Sequence, residues 1–265
     1  MTERLTVTSR DGTLLACWRA GNGPSLLLVH GSLCDHLSWF FAAPLLAEHF
    51  TVWTYDRRGR GQSGDGCSHS PQREAEDMEA VLAAAGAPAH LLGHSAGAIA
   101  SLHAALRVNT LRSLVLYEPA YIAAGARAKP APAILVEMER LLAAGDPDAA
   151  LAIAMRETVD MTDAEIDSLR SSAGWEHLRD AARAIPNDWA LWEDQPSSSA
   201  LARIGAPALV MTGSESPEWL RAASEAVAAA IPNAKRVTLA GQGHSAMITA
   251  PRQFADAVIE FAATL

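Results

Sequence analysis

The segment that most constrains the fold of this chain is Gly93-His94-Ser95-Ala96-Gly97, a G-x-S-x-G pattern. It follows an apolar run, Ala89 to Leu92, and precedes an Ala-rich run of helical character, Ala98 to Leu106. A serine on a sharp strand-to-helix turn projects its hydroxyl out of the sheet, and the flanking glycines let the turn close without a side-chain clash. The helix that begins there directs its first amides at the same point. This context predicts that Ser95 is a nucleophile, whereas the bare pattern also occurs in ordinary glycine–serine turns.

Apolar segments of strand length alternate with segments of helical spacing along most of the chain. The predicted strands are 5–9, 14–20, 25–29, 51–55, 89–93, 113–117, 208–212 and 236–239, and the predicted helices are 39–49, 71–85, the run after Ser95, 217–231 and 251–263. Asp11-Gly12 is a hairpin turn signal between the first two strands. Ser25 to Val29 is a continuous apolar run, which is typical of a strand buried on both faces. The pattern predicts an α/β fold with a mostly parallel, doubly wound sheet.

The strand pattern is interrupted in the middle of the chain. From about residue 120 to 201, helical segments follow one another, punctuated by glycine and proline. We therefore expect a core domain formed by residues 1–119 and 202–265, with residues 120–201 as a helical insertion, or lid, on the sheet.

Composition excludes several classes of protein. The formal net charge of −9 argues against a nucleic-acid surface. The sequence contains no run of 18 apolar residues of the kind that spans a membrane. The first ten residues do not resemble a signal peptide, and three widely spaced cysteines favour a reducing cytoplasm over a disulfide framework. The nine histidines show no zinc-like pairing. We expect a cytoplasmic protein without metal or cofactor whose partner is a small-molecule substrate, and the sequence leaves a homodimer open.

A serine hydroxyl needs a base, and the base needs an orienting acid. The candidate base is His244, in the glycine-rich stretch Gly241-Gln242-Gly243-His244 between the last predicted strand and the last helix. A residue at that point lies at the carboxyl edge of the sheet, where Ser95 also lies. The alternative is an ordinary surface histidine.

A second loop, His30-Gly31-Ser32-Leu33, follows the strand at 25–29. It is expected to supply the backbone N–H of Ser32 to an oxyanion hole, opposite the N–H of Ala96. His30 has no acid beside it, so it is expected to be a structural hydrogen-bonding residue.

Taken in order, His30-Gly31, the segment Asp56 to Ser63, Gly93 to Gly97 and Gly243-His244 resemble the motifs of the α/β-hydrolase superfamily. The resemblance covers essentially the whole chain and implies that the middle helical block is the cap of that family. It also implies that the Asp56–Ser63 loop braces the active-site edge.

The position of the acid departs from the commoner family pattern. The family usually places an aspartate after the strand written here 208–212, but this chain continues Gly213-Ser214-Glu215-Ser216-Pro217, with Ser216 at the expected acid position. Glu215 is one residue away from that position.

Some members of the superfamily, the haloalkane dehalogenases among them, carry the acid after the preceding central strand. Glu118 ends that strand here, after Leu114-Val115-Leu116-Tyr117. Burying a glutamate there is costly without a partner, and a hydrogen bond to His244 would supply one. The predicted triad is Ser95–His244–Glu118, with Glu215 or no acid as the alternatives.

The resemblance also bears on chemistry. Haloalkane dehalogenases and epoxide hydrolases use an aspartate nucleophile, so Ser95 implies acyl chemistry on an ester, lactone, thioester or amide. Tryptophans and methionines in the middle block, Trp175, Trp189, Trp192, Met138, Met155 and Met161, either line a pocket for a small hydrophobic substrate or pack the cap. The expected function is that of a serine esterase. The alternatives are a non-hydrolytic member (C–C bond cleavage, lyase or acyl transfer) and a ligand-binding protein with little turnover.

Overall fold

The computed structural model describes residues 2–123, 125, 129–172 and 174–265. The strands are Glu3–Thr8 (β1), Leu14–Ala20 (β2), Ser25–Val29 (β3), Thr51–Tyr55 (β4), Ala89–His94 (β5), Leu111–Tyr117 (β6), Ala208–Gly213 (β7) and Lys235–Leu239 (β8). The α-helices within these residues are Ala42–Leu46 (α1), Pro71–Ala85 (α2), Ala96–Ala105 (α3), Pro132–Ala143 (α4), Pro147–Val159 (α5), Asp163–Arg170 (α6), Trp175–Ala181 (α7), Ile185–Glu193 (α8), Ser198–Leu201 (α9), Glu218–Ala230 (α10), Ala246–Thr249 (α11) and Pro251–Ala262 (α12).

The strands form one sheet in the order β1-β2-β4-β3-β5-β6-β7-β8. β1 and β2 pair antiparallel, as do β2 and β4, and every later neighbouring pair is parallel. All six residues of β5 are buried, since helices cover both faces of the sheet. The predicted α/β fold with a mostly parallel, doubly wound sheet is confirmed.

Two apolar layers hold the helices against the sheet. On one face, Met78 of α2, Ile99 of α3 and Val227 of α10 belong to a single buried cluster. On the other face, Leu46 of α1 and Phe254 of α12 belong to a second cluster. The two layers fix the strands rigidly, which is what a site at the strand ends requires.

The helices of the middle block have an apolar cluster of their own. Met138, Met155, Trp175 and Trp189 are all buried in it, so these side chains pack the block internally rather than lining a substrate pocket. Trp192 differs, because it packs partly against both this cluster and the core cluster. The boundaries 120–201 of a separate cap domain remain a prediction. No helix in the described part of the chain is long and apolar enough to cross a membrane.

The predicted helix 39–49 is wrong in its extent. A 3₁₀ turn occupies His36–Trp39, and α1 spans Ala42–Leu46 only. Pro44 explains the break, because it lacks an N–H and is tolerated only in the first turn of a helix. A helix that began at Trp39 would place Pro44 in its interior.

Candidate active site

Four parallel neighbouring strands end at the same edge of the sheet, and each is followed by a polar residue. Ser95 follows β5, Glu118 follows β6, Ser216 lies in the loop after β7, and His244 lies in the loop after β8. Because neighbouring parallel strands end side by side, residues remote in sequence meet there. This edge is the candidate active site.

Ser95 lies in a sharp turn between β5 and α3. Its backbone has φ 55° and ψ −122°, outside the regions that non-glycine residues ordinarily occupy. A Cβ at Gly93 would lie 2.4 Å from the Ser101 Oγ atom, and one at Gly97 would lie 2.2 Å from the His30 carbonyl oxygen. The two glycines are therefore required because β3, β5 and α3 approach one another closely.

The loop after β3 lies directly against the nucleophile candidate. A Cβ at Gly31 would be 3.0 Å from the Cβ of Ser95, so the backbone of this loop passes beside the serine. Ser32 follows Gly31, and α3 begins at Ala96, whose N–H is one of the four that no carbonyl of the helix accepts. The assignment of these two N–H groups to an oxyanion hole remains a prediction.

His30 is fully buried and holds the loop in place. Its Nδ1 atom lies 2.9 Å from the Gly31 carbonyl oxygen, and its Nε2 atom accepts a hydrogen bond of 3.1 Å from the Arg57 N–H. Burial lowers the pKa of His30 to about 3. A neutral ring with both nitrogens engaged suits the structural role expected for it.

Glu118 and His244 are hydrogen-bonded. The Oε2 atom of Glu118 lies 2.6 Å from Nδ1 of His244, and the glutamate is completely buried while the histidine is partly exposed. With its Nδ1 proton donated to Glu118, the imidazole leaves Nε2 free to accept a proton. This is the relationship between acid and base that general-base catalysis at a serine requires.

The other carboxylate oxygen of Glu118 accepts three hydrogen bonds. Oε1 accepts from the Gly213 N–H at 2.7 Å, the Thr212 hydroxyl at 3.1 Å and the Ser216 hydroxyl. Burial alone would raise the pKa of Glu118, but the hydrogen bonds from His244, Gly213 and Ser216 outweigh it and hold the pKa below its ordinary value. The carboxylate is thus kept ionised beside the histidine.

Glu118 also has a left-handed backbone, with φ 45°. Together with Ser95 it gives two non-glycine residues in conformations that cost of order 1–3 kcal/mol each and that cluster at functional sites.

Two aromatic side chains, Tyr117 and His94, donate hydrogen bonds to the loop that carries His244 (the histidine loop). The Tyr117 hydroxyl donates to the Gly243 carbonyl, and the Ala246 N–H donates back to that hydroxyl at 3.4 Å. His94 donates from Nε2 to the His244 carbonyl at 2.9 Å, and the two imidazole centroids are 4.5 Å apart. The position of the His244 ring is therefore fixed by hydrogen bonds to the backbone of its loop as well as by the hydrogen bond to Glu118.

Glu215 lies elsewhere. It is exposed, and its carboxylate accepts a hydrogen bond from the Ser214 hydroxyl at 3.0 Å. Its backbone N–H donates to the Gln242 carbonyl at 2.9 Å, which ties the loop after β7 to the histidine loop. Of the two candidate acids, Glu118 is the one that contacts His244.

Among the described residues, no hydrogen bond of 3.5 Å or less joins the Ser95 hydroxyl to another side chain. Catalytic hydrogen bonds are often long before a substrate binds. Ser95 and His244 lie at the same edge of the sheet, after β5 and β8.

Buried charges connect this edge to the middle helical block. Arg57 and Arg60, in the loop after β4, both bind Asp188 of α8, at 2.9 and 2.6 Å. Arg57 also forms a bidentate pair with Glu74 of α2, at 2.7 and 3.0 Å. All four side chains are almost completely buried. The Asp56–Ser63 loop thus joins the core sheet to the helix that covers it.

One group of side chains in the described part of the chain has the spacing of a metal site: Asp35, His36 and Asp56. Both oxygens of Asp56 are already used, by the N–H and Nδ1 of His36 at 2.9 and 2.7 Å and by the Gln62 N–H at 2.7 Å. Trp18 stacks on the His36 ring, with centroids 3.4 Å apart. These contacts indicate that the cluster has a structural role, in which Asp56 joins its own loop to the loop that contains His36. The sequence spacing had not suggested it, because its members come from two separate loops.

Sequence reasoning missed the supporting roles of Tyr117, His94 and Ser216. A signal existed for Ser216, which stands at the position of the usual family acid. His94 lies in β5 and Tyr117 in β6. Buried aromatic rings are ordinary core residues of strands, and no sequence pattern marks a hydrogen bond to a distant loop.

Comparison with known proteins agrees with this architecture. The profile of the Alpha/beta hydrolase family matches residues 26–257. The solved structure of an alpha/beta hydrolase from Sphaerobacter thermophilus has a TM-score of 0.90 and 36% identity, covering 97% of this chain and 99% of that chain.

Two curated proteins match over very different lengths. The pimeloyl-[acyl-carrier protein] methyl ester esterase of Xanthomonas campestris is 30% identical over 261 residues, 92% of this chain and 97% of that protein. The probable oxidoreductase EphD of Mycobacterium tuberculosis is 37% identical over 100 residues, which span 35% of this chain and only 17% of that protein. The family profile and the full-length matches lead to one conclusion: the chain belongs to the alpha/beta hydrolase family.

Proposed function

We propose that this protein is a serine hydrolase that cleaves a carboxylic ester, lactone or thioester through an acyl intermediate on Ser95. The observation that carries the proposal is the 2.6 Å hydrogen bond between the buried carboxylate of Glu118 and Nδ1 of His244. It lies at the sheet edge where the strained turn presents Ser95.

The proposed reaction has two steps. In the first, His244 Nε2 takes the proton of the Ser95 hydroxyl as the serine oxygen attacks the carbonyl carbon. The negative charge on the substrate oxygen is stabilised by the N–H groups of Ser32 and Ala96. The protonated imidazole then gives its proton to the leaving alcohol or thiol, and the acyl group stays on Ser95.

In the second step, water replaces the leaving group. His244 removes a proton from the water as the water oxygen attacks the acyl carbon. The bond between that carbon and Ser95 Oγ then breaks, the proton on His244 restores the Ser95 hydroxyl, and the carboxylic acid leaves. Glu118 remains an anion throughout and stabilises the imidazolium that forms in each step. The three donors on its other oxygen suit that constant charge.

The substrate is proposed to be small and hydrophobic. Ala120, whose N–H donates to the Ser95 carbonyl at 3.3 Å, borders a narrow crevice of about 10 Å³ together with Ile122, Trp192 and Trp219. This space holds about one water molecule, so the support comes from the apolar character of the surface beside Ser95 rather than from a formed pocket. An apolar lining favours an apolar acyl or alcohol group. The relative from Xanthomonas is named as a methyl ester esterase, which supports ester chemistry here without identifying the substrate.

The proposal is tested with p-nitrophenyl esters of increasing acyl length and a p-nitrophenyl thioester analogue, using Ser95→Ala as the matched control. We expect the wild-type protein to release p-nitrophenol from the esters and p-nitrothiophenol from the thioester, with a burst of about one equivalent wherever deacylation is slow, and the control to release neither. Equal release by both proteins would contradict the proposal. Refusal of every ester by a protein whose Ser95 reacts with an organophosphorus probe would favour non-hydrolytic chemistry.

A further inference from the structure

Ser216 stands at the position of the usual family acid, and its hydroxyl donates a hydrogen bond to the Glu118 carboxylate. We propose that Ser216 is a positioning residue, whose hydroxyl holds the Glu118 carboxylate in the orientation that lets its other oxygen accept from His244. The inference rests on the proposed function, because it concerns the acid of the same site.

The need for such a residue follows from the glutamate itself. The terminal torsion of a glutamate side chain is broad, so the plane of the carboxylate is set by its hydrogen bonds rather than by its rotamer. In Glu118 the bonds are divided: Oε2 faces His244, and Oε1 faces Gly213, Thr212 and Ser216. Donors on Oε1 therefore decide where Oε2 points.

Among these donors, Ser216 is a buried side chain whose placement is itself fixed. It is 2% exposed, and its carbonyl accepts a hydrogen bond from Arg221 of α10. A Cβ at Gly213 would lie 2.9 Å from the Ser216 Oγ atom, so the hydroxyl is packed against the end of β7. Thr212 is only partly buried, and the Gly213 donor is backbone, so Ser216 is the donor that a substitution can remove most cleanly.

The residue also explains why the acid can stand at 118. Position 216 is where the family resemblance places an aspartate, and here its hydroxyl lies within hydrogen-bond distance of Glu118 Oε1. An acid at both positions would put two carboxylates in contact, and like charges at that distance cannot both remain ionised. A glutamate at 118 thus requires a neutral donor at 216, and the two residues act as a pair.

The first test compares Ser216→Ala with Ser216→Thr, which keeps a hydroxyl, and with Ser224→Ala. Ser224 is an equally buried serine of α10 whose hydroxyl has no hydrogen-bond partner in the described part of the chain. We expect kcat for p-nitrophenyl acetate to fall about tenfold in Ser216→Ala with KM unchanged, the effect of losing one hydrogen bond to a charged group. Ser216→Thr should recover most of the loss, and Ser224→Ala should show none.

The pH dependence of kcat/KM distinguishes a positioning role of Ser216 from a purely structural one, because a structural role would leave it unchanged. Without the Ser216 donor the Glu118 carboxylate binds a proton more readily, because one of the hydrogen bonds that lower its pKa is lost. The acidic limb of kcat/KM therefore moves to higher pH in Ser216→Ala. The neighbouring titratable groups, His94 and Tyr117 beneath the histidine loop and Arg221 beside Ser216, are the same in every variant.

A second variant tests the pairing of positions 118 and 216 if Ser216→Ala folds poorly. Glu118→Ala removes the acid, and adding Ser216→Asp to it restores a carboxylate from the facing loop. We expect the double variant to exceed Glu118→Ala in kcat by about tenfold or more, because a carboxylate at 216 would stand beside the place of the one removed. A double variant no more active than Glu118→Ala would contradict the pairing of positions 118 and 216.

The outcomes separate this inference from the proposed function. If the wild type turns over esters while Ser216→Ala keeps its kcat and its acidic limb, the inference is overturned and the function stands. If the wild type turns over no ester, the function fails, and NMR titration of the imidazole signals decides the inference without turnover. A midpoint that moves to higher pH in Ser216→Ala supports it, and an unmoved midpoint overturns it.

Discussion

Glu118 and His244 are 126 residues apart in the chain, yet an oxygen of one lies 2.6 Å from a ring nitrogen of the other. The contact exists because the loops after β6 and β8 meet over β7, the strand between them. The loop after β7 contacts Glu118 through the Ser216 hydroxyl, and it contacts the loop that carries His244 through the Glu215 N–H, which donates to the Gln242 carbonyl. The arrangement makes one acid, not two, available to the histidine.

Glu118→Gln is expected to lower kcat on the order of 10⁴-fold, because an amide donor facing Nδ1 favours the wrong imidazole tautomer. Its matched control is Glu215→Gln, which alters an exposed carboxylate one loop away and should leave kcat within a factor of two or so. Steady-state kinetics with one activated ester measures both. Comparable losses in the two variants would refute the choice of acid.

Tyr117→Phe removes the hydroxyl that joins β6 to the histidine loop at Gly243. We expect roughly a tenfold loss of kcat with little change in KM, since the removed bond positions the base and does not touch substrate. Tyr121→Phe is the control, because that hydroxyl bonds to the Pro196 carbonyl, away from the histidine loop. Equal kinetic effects of the two variants would show that Tyr117 has no special relation to His244.

Asp188→Ala should destabilise the fold by about 3–5 kcal/mol, because it leaves Arg57 and Arg60 with Glu74 as their one shared carboxylate and so leaves one buried positive charge uncompensated. For a chain of this size that loss corresponds to a fall in Tm of about 10 °C. Thermal unfolding followed by circular dichroism checks it. Glu79→Ala, which opens an exposed pair with Arg107, should change Tm little, and a similar fall in both variants would contradict the importance of burial.

The same residue predicts a pH dependence of stability. Burial opposes ionisation of Asp188, but Arg60 and Arg57 outweigh it and lower its pKa to about 2, from an ordinary value of 3.8. The ionised group therefore contributes stability above about pH 4 that is lost as the pH falls towards 2. Urea unfolding at pH 5, 4 and 3 should show a shallower decline for Asp188→Asn than for the wild type. Parallel declines would mean that Asp188 titrates normally in the folded protein.

The fold could be predicted from the sequence because the patterns that indicate strands and helices are local. Buried strands such as β5 appear as apolar runs, and the helices between them show their own spacing, so the parallel sheet could be predicted from alternation alone. The exception, the helix predicted at 39–49, failed at Pro44, where a backbone rule overrides side-chain spacing.

The location of the candidate site residues could be predicted from their positions along the chain. Ser95, Glu118 and His244 each end or follow a strand, and parallel strands deliver such residues to one edge. Their catalytic roles stay predictions until measured. The hydroxyls of Ser216 and Tyr117 could not be assigned, because their partners are 98 and 126 residues away and depend on the course of two loops.

The buried charge network was equally out of reach. Arg57 and Arg60 lie in a loop whose bracing role followed from the family resemblance, but their partner Asp188 is 131 and 128 residues further along. An isolated aspartate in a helix of the middle block carries no sign of such a contact.

In the proposed mechanism His244, oriented by Glu118, activates Ser95. The most direct test of this mechanism is labelling with a fluorophosphonate probe, followed by mass spectrometry of the peptide that contains Ser95, in the wild type and in Ser95→Ala and His244→Ala. We predict rapid labelling of the wild type at Ser95 alone, none in Ser95→Ala, and labelling slowed by orders of magnitude in His244→Ala. A folded wild type that remains unlabelled, or a His244→Ala variant labelled at the wild-type rate, would contradict the mechanism.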